Sequence, residues 1–274
     1  MSRKFVELEF YETYYHANIV SNVIEDPYSY IRLIHEWYED CEEDVFLPAF
    51  PKQSRLHGLA AHIIANLIHE KFSDPESYSL ANNGGDNVWI DRALKHHNLP
   101  CDGFADFVEG QVDSLDQVTE DHLFDYHQEL GLAGHTEMLV ERLSSEVFHI
   151  LFSNRKLLAL FNEFMARGLG QFFDKIPESE LGRNLSRPGR LKRVRIPAWV
   201  KRAVFFRDRG KCSLCQKDLS GILSTQPDSQ YDHIIPLAAG GLNDVTNIQL
   251  LCQTCNGKKS KRRVAVSNVY EAWY

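Results

Sequence analysis

The 274-residue sequence predicts a mainly α-helical N-terminal domain joined to a small α+β C-terminal domain. Apolar residues recur at helical spacing through most of residues 1–180, whereas two Cys-x-x-Cys pairs and two short apolar runs follow residue 210. The balance of charge also changes. Residues 183–274 hold 17 Lys and Arg against 6 Asp and Glu, a net +11, and residues 1–182 hold 13 against 32, a net −19. The C-terminal part is therefore expected to bind a polyanion.

The helices of the N-terminal part are predicted from the spacing of its apolar residues. The clearest pattern, with Leu139, Leu143 and Val147 on one face, is typical of an amphipathic helix. The predicted helices lie, in chain order, over residues 5–22, 27–38, 56–72, 89–97, 136–152 and 156–173. No strand-rich region is expected before residue 200.

Residues 181–197 are predicted to form a basic linker between an acidic helical domain, 1–180, and the C-terminal domain, 198–274. Pro188 and Gly189 lie within the linker and interrupt regular structure. Its basic side chains are expected to contact phosphate groups, although a solvated tether is the alternative. The predicted phosphate contacts of this segment are Arg190, Lys192, Arg193 and Arg195.

The two cysteine pairs, Cys212 with Cys215 and Cys252 with Cys255, have the spacing that places two thiolates on one tetrahedral zinc ion. We predict one structural Zn²⁺ held by all four. Disulfides are the weaker alternative, because the N-terminus does not resemble a secretory signal and a cytoplasmic, reducing compartment is expected. The core of a unit of roughly 60 residues is too small to stabilise it securely, and a bound metal adds the stability that is missing.

The segment between the cysteine pairs predicts a strand, a glycine-rich loop, a second strand and a helix. The strands are expected over residues 231–236 and 247–251, the loop over 237–246, and the helix over 254–263. An Asp-His dipeptide lies on the first predicted strand, and Asn256 lies near the start of the helix.

These motifs resemble the HNH endonucleases of the ββα-metal class. The resemblance rests on Cys-x-x-Cys, Asp-His-Ile-Ile-Pro-Leu, Gly-Gly, Asn-Ile-Gln-Leu-Leu-Cys and Cys-Asn-x-x-Lys, and it covers residues 197–263. It implies hydrolysis of DNA phosphodiester bonds that leaves a 5′-phosphate and a 3′-hydroxyl. The third signature position, a histidine in the name-giving members, is Asn256 here, which favours Mg²⁺ or Mn²⁺ over a catalytic zinc.

The resemblance also implies a role for each motif residue. His233 matches the general base, which fits the chemistry of a neutral imidazole. Asp232 and Asn256 match ligands of the catalytic Mg²⁺ or Mn²⁺, and Asn247 matches the residue that holds the two strands together. In addition to the linker residues, four basic residues of the predicted helix are expected to contact DNA: Lys258, Lys259, Lys261 and Arg262.

The function expected from these features is metal-dependent DNA cleavage, in a restriction or antiviral defence context. The acidic N-terminal domain is expected to control cleavage and to bind a partner protein. A DNA-binding or scaffold subunit that does not cleave is the alternative, since a zinc-stapled module can hold DNA without cutting it. No apolar run approaches the ~20 residues of a membrane span.

Overall fold

A computed structural model gives the architecture of the chain. Most of its regular structure is helical, and the two small sheets found among the described residues lie near the C-terminus, so the predicted fold class is confirmed. The structure describes residues 8–41, 46–72, 88–99, 101–172, 184–187, 189–221, 229–259 and 264–272.

Ten α-helices are found among the described residues. In chain order they are α1 (Thr13–Glu25), α2 (Ile31–Cys41), α3 (Arg55–Phe72), α4 (Trp89–His96), α5 (Phe104–Val108), α6 (Glu120–Leu132), α7 (His135–Leu151), α8 (Arg155–Phe172), α9 (Ala198–Arg207) and α10 (Gln253–Lys258). In the part of the chain that the structure describes, no helix combines the length and the apolar character needed to cross a membrane.

The start of α1 differs from the prediction. A helix was expected over residues 5–22; residues 5–7 lie outside the described residues, and from residue 8 onwards α1 begins only at Thr13. Phe10 and Glu12 have positive φ angles of 57° and 52°, which right-handed helical backbone does not allow.

The chain divides into two compact units. Unit 1 comprises Met1–Asn18 and His57–Phe148, and unit 2 comprises Ile19–Leu56 and His149–Tyr274. Helices α2 and α8 therefore belong to the same unit as the C-terminal residues. The division of the chain into domains at residues 180 and 198 remains a prediction.

Unit 1 has an apolar core formed by its helices. Leu59 and Ile63 of α3, and Leu139 and Leu143 of α7, are almost completely buried. The carboxylate of Glu146 is also buried, and it accepts hydrogen bonds from the hydroxyl of Thr13 at 2.5 Å and from two backbone N–H groups just before α1. A buried carboxylate with these donors stabilises the N-terminal end of that helix.

Unit 2 contains an antiparallel hairpin of β3 (Ser229–His233) and β4 (Ile248–Cys252), with Asp232 opposite Gln249. All five residues of β4 are buried. The predicted strands, 231–236 and 247–251, were displaced by one to three residues. A 3₁₀ turn, Val245–Asn247, occupies the predicted start of the second strand, so β4 begins one residue later.

A buried ionic network attaches the hairpin to the helices of unit 2. The carboxylate of Asp208 accepts from the Arg207 guanidinium at 2.9 Å, from the backbone N–H of Leu250 at 2.9 Å and from Arg155 of α8 at 3.4 Å. Arg207 also donates to the carbonyl of Ile248 at 2.7 Å. Each charge needs its partners, because a buried ion left alone costs several kcal/mol.

The basic segment before α9 contains a short hairpin that the sequence did not predict. Strand β1 (Leu185–Arg187) pairs with β2 (Arg190–Leu191), and Leu185 lies opposite Leu191. Both leucines are buried, and Gly189 allows the reversal with a positive φ of 64°. Two buried side chains are too few to give a detectable alternation in the sequence, so a linker was expected instead.

The loop after β3 turns at Gly240 and Gly241, as the sequence predicted. Gly240 has a φ of 88°, which favours glycine. At Gly241 a β-carbon would lie 1.9 Å from the carbonyl oxygen of Ile235. The backbone of the loop therefore approaches the end of β3 more closely than any side chain permits.

Replacing Gly241 by alanine should lower the thermal unfolding temperature of the protein, because the new methyl group overlaps the backbone of Ile235. The expected loss of stability is about 1–3 kcal/mol, as for other overpacked sites. The matched control is Gly257→Ala, where a β-carbon meets nothing within 4 Å. An unfolding temperature for Gly241→Ala at or above that of the control would contradict the close approach.

Candidate active site

The four predicted zinc ligands come together in unit 2. The sulfur atoms of Cys212, Cys215, Cys252 and Cys255 all lie within 4.8 Å of one another. The backbone N–H of Ser213 donates to the carbonyl of Leu250 at 2.9 Å, which places the first pair beside the end of β4. Residues distant in sequence are thus joined at one point.

The donor set fits a tetrahedral metal ion. The sulfurs of Cys215 and Cys252 are 3.7 Å apart, which is too far for a disulfide bond. Four thiolates at about 2.3 Å from a tetrahedral zinc would be ~3.8 Å from one another. Four protein ligands also leave no coordination position for water, so the chemistry of the cluster favours a structural ion.

Three of the four predicted catalytic residues line one cavity of about 560 Å³, and the fourth, Asn247, does not line it. Asp232 and His233 are contributed by the end of β3, and Asn256 by α10. Arg190 of β2 and Arg193, which follows that strand, line the same cavity. Hairpin, helix and basic segment therefore contribute side chains to one site.

His233 is buried, with 1% of its surface exposed. Its Nε2 lies 3.2 Å from Oδ1 of Asn243, and its Nδ1 has no hydrogen-bond partner among the described residues. Burial lowers the pKa of His233 to about 4, and the positive charges of Arg193 and Lys259 act in the same direction. The imidazole is therefore neutral near pH 7, which is the state that a general base requires.

Asn247 is fully buried at the end of the loop, and its side chain closes that loop. Its Oδ1 accepts from the N–H of Ile235 at 2.8 Å, and its Nδ2 donates to the carbonyls of Ile235 at 3.1 Å and Leu242 at 2.8 Å. The backbone N–H of Ile234 donates to the carbonyl of Asn247 at 2.6 Å. These four bonds hold the residues just after His233 against the start of β4.

Lys259 lines the cavity and is paired with Asp232. Its Nζ is 2.6 Å from Oδ2 of Asp232, it donates to the carbonyl of His233, and its side chain is only 2% exposed. The sequence assigned Lys259 to DNA contact. In the folded chain its ammonium group neutralises a carboxylate of the site.

The other predicted DNA contacts have different positions. Arg190 and Arg193 are exposed and line the cavity, whereas Lys192 and Arg195 are exposed but do not line it. Lys258 lines a neighbouring cavity of about 480 Å³ with Cys255 and Lys259. The two remaining residues, Lys261 and Arg262, lie outside the described residues.

Sequence reasoning missed Asn243, the hydrogen-bond partner of His233. This side chain is 3% exposed, and its Nδ2 donates to the carbonyl of Lys192 at 2.8 Å. It therefore connects the basic segment to the imidazole. A single asparagine in a loop has no periodic or motif signal, and only its proximity to His233 reveals it.

The loop is also anchored by a segment far upstream in sequence. Asp244 accepts from the backbone N–H of Arg55 at 3.1 Å and from its guanidinium at 3.2 Å, and both side chains are buried. The backbone N–H of Phe50 donates to the carbonyl of Asn243 at 2.7 Å. Residues from the predicted N-terminal domain thus hold the loop beside the site.

The model of the HNH endonuclease family matches residues 212–262, so the chain carries an HNH endonuclease domain there. Members of this family are generally nucleases. No family model matches the N-terminal region. No curated protein and no solved structure matches the chain significantly.

Replacing Cys215 by serine should remove the bound metal and lower the unfolding temperature of unit 2, because binding energy at such a site is folding energy. Elemental analysis of the purified protein should give about one zinc ion per chain for the parent and almost none for the variant. Cys101→Ser, a half-buried cysteine outside the cluster, is the control and should keep its zinc. Equal zinc content in the parent and Cys215→Ser would contradict a four-cysteine site.

Proposed function

We propose that this protein is a metal-dependent endonuclease that hydrolyses the phosphodiester bonds of DNA. The observation that supports this most strongly is the cavity shared by Asp232, His233 and Asn256 with two arginines. A base, two oxygen ligands and cationic side chains are the groups that phosphodiester hydrolysis requires. The match of residues 212–262 to the HNH family supports the same chemistry.

His233 is the proposed general base. It takes a proton from a water molecule whose oxygen attacks the phosphorus atom, and the bond from phosphorus to the 3′ oxygen breaks. The leaving oxygen takes up a proton from water, which gives a 3′-hydroxyl and a 5′-phosphate. The lowered pKa of His233 supports this role, because the ring is unprotonated at neutral pH.

Asp232 and Asn256 are the proposed ligands of Mg²⁺ or Mn²⁺. A carboxylate and an amide on one cavity provide the hard oxygen donors that these ions prefer. Such an ion would stabilise the negative charge that develops on the phosphate and on the leaving oxygen. The ammonium group of Lys259 donates to Oδ2 of Asp232 and to the carbonyl of His233, and so restrains that carboxylate. The cysteine cluster is the proposed site of a separate structural zinc ion.

Arg190 and Arg193 are the proposed contacts for the phosphate groups of DNA beside the cleaved bond. Both are exposed and line the cavity; Arg190 lies in β2, and Arg193 follows that strand by two residues. Guanidinium groups bind phosphate oxygens with two hydrogen bonds, which orients the strand as well as attracting it.

Unit 1 is the proposed site of control and of a partner protein. Its residues include 6 Lys and Arg against 20 Asp and Glu, a net −14, whereas the residues of unit 2 include 24 against 18, a net +6. An acidic surface repels a phosphate backbone, so unit 2 is the DNA-binding part. A restriction or antiviral setting would require this kind of control, and it remains the proposed context.

Replacing His233 by alanine should reduce the rate of plasmid cleavage in Mg²⁺ by about 10²–10⁴-fold, the usual contribution of a general base. The measurement is the conversion of supercoiled plasmid to nicked or linear DNA, with the unfolding temperature and DNA affinity recorded for each protein. His149→Ala, an exposed histidine prepared in the same way, controls for co-purifying nucleases. Cleavage by His233→Ala at the parental rate would exclude this residue as the base.

If the parent protein binds DNA but cleaves none in Mg²⁺ or Mn²⁺, the alternative function, a DNA-binding or scaffold subunit that does not cleave, describes the protein better. That outcome would contradict the proposed function directly, whatever the variants do.

Replacing Asn256 by alanine should raise the Mg²⁺ concentration needed for half-maximal cleavage, because one oxygen ligand is lost. Asn256→Asp keeps an oxygen in that position and should need less Mg²⁺ than the alanine variant. Gln253→Ala, at an exposed position on the same helix, is the control and should titrate like the parent. Superimposable titrations of Asn256→Ala and the parent would show that Asn256 is not a ligand.

A further inference from the structure

We propose that Asn243 is a positioning residue that keeps the proton of neutral His233 on Nε2 and so leaves the lone pair on Nδ1. The inference deepens the proposed function, because it rests on His233 acting as the base. It assigns Nδ1 as the nitrogen that accepts the proton of the attacking water. Three independent contacts of the loop carry the argument.

The first contact fixes which way the amide of Asn243 points. Its nitrogen lies 2.8 Å from the backbone carbonyl of Lys192. A carbonyl oxygen can only accept a hydrogen bond, so the NH₂ group of the amide must face it. The opposite orientation would place two oxygens in contact at the same distance, which is unfavourable in a buried site.

The second contact fixes the proton on the imidazole. With its nitrogen facing Lys192, Asn243 presents Oδ1 to Nε2 of His233 at 3.2 Å. Oδ1 is only an acceptor, so Nε2 must be the donor. A neutral imidazole carries one proton, and Nδ1 is then the nitrogen with the free lone pair. Nδ1 is a buried atom that lacks a hydrogen-bond partner among the described residues, and His233 is one of the residues that line the cavity.

The third set of contacts keeps Asn243 itself in place. The backbone N–H of Phe50 donates to its carbonyl at 2.7 Å. On either side, Asn247 donates to the carbonyl of Leu242 at 2.8 Å, and Arg55 is paired with Asp244. The loop therefore holds the amide of Asn243 in one position. Contacts from Lys192, Phe50 and Arg55 all contribute to this position, and so to the orientation of His233.

The test compares three variants in the full-length protein: Asn243→Ala, Asn243→Asp and the control Asn162→Ala. Asn162 is equally buried in unit 2, but its amide bonds Leu158 and Thr246 instead. Two quantities are measured for each. The first is kcat and KM for plasmid cleavage in MgCl₂. The second is the tautomer of His233 from nitrogen-15 NMR of histidine-labelled protein, with its signal assigned by its loss in His233→Ala.

The parent should have the proton of His233 on Nε2. In Asn243→Ala the tautomer should shift towards Nδ1–H, and kcat should fall about 10- to 100-fold, as for other groups that orient a functional histidine, with KM close to the parental value. Asn243→Asp retains an oxygen facing Nε2 but loses the bond to Lys192, so it should keep the parental tautomer and recover part of kcat. Asn162→Ala should change neither quantity.

Three results would overturn the inference: a parental His233 with its proton on Nδ1, an unchanged tautomer in Asn243→Ala, or an equal loss of kcat in Asn162→Ala. If Asn243→Ala does not fold, the parental tautomer still tests the inference, because a proton on Nδ1 of His233 would contradict it. If the parent cleaves no DNA, the proposed function fails, while the NMR comparison still shows whether Asn243 sets the tautomer. The two failures are therefore distinguishable.

Discussion

The side chain of Asn247 is the constraint on which the site depends. Both polar atoms of its amide form hydrogen bonds to backbone groups. Two of these bonds go to Ile235 and one goes to Leu242. These bonds close a loop that Gly241 allows to approach the end of β3. Because the amide is fully buried, each bond is worth more than in water, and each would be costly to leave unmade. The orientation of His233 follows from this closure.

A second constraint is electrostatic. The charges beside the site are paired inside unit 2, Lys259 with Asp232 and Arg55 with Asp244, and both pairs are largely buried. A buried ion pair adds little net stability, but it penalises any arrangement that separates the partners. The pairs therefore specify where the loop and α10 lie. Arg190 and Arg193 also line the cavity, and both are exposed.

The acidic and basic charges also separate between the two folded units, although less sharply than between residues 1–182 and 183–274. The residues of unit 2 include the upstream segment Ile19–Leu56, and this unit still has a net positive charge, +6. The residues of unit 1 carry −14. A boundary drawn at residue 180 would separate Phe50 and Arg55 from the loop that they hold. The segment that contains Phe50 and Arg55 is thus part of the scaffold of the site.

The sequence alone determined the features that depend on neighbouring residues and on fixed spacings. The cysteine pairs predicted the cluster, since two residues between thiols place both on one ion. The Asp-His dipeptide, the Gly-Gly turn and the strand–loop–strand–helix order predicted the hairpin, and helical periodicity predicted most helices of the N-terminal part. The β1–β2 hairpin escaped prediction, because Leu185 and Leu191 alone make no pattern.

Only the tertiary structure decided which distant residues complete the site. Asn243 meets His233 and the carbonyl of Lys192, and Lys259 turns to Asp232 rather than to solvent. These are single polar contacts between segments that are separated in the chain, and such contacts have neither a period nor a fixed spacing. They form because burial obliges each donor and acceptor to find a partner, and the folded backbone determines which partner is within reach.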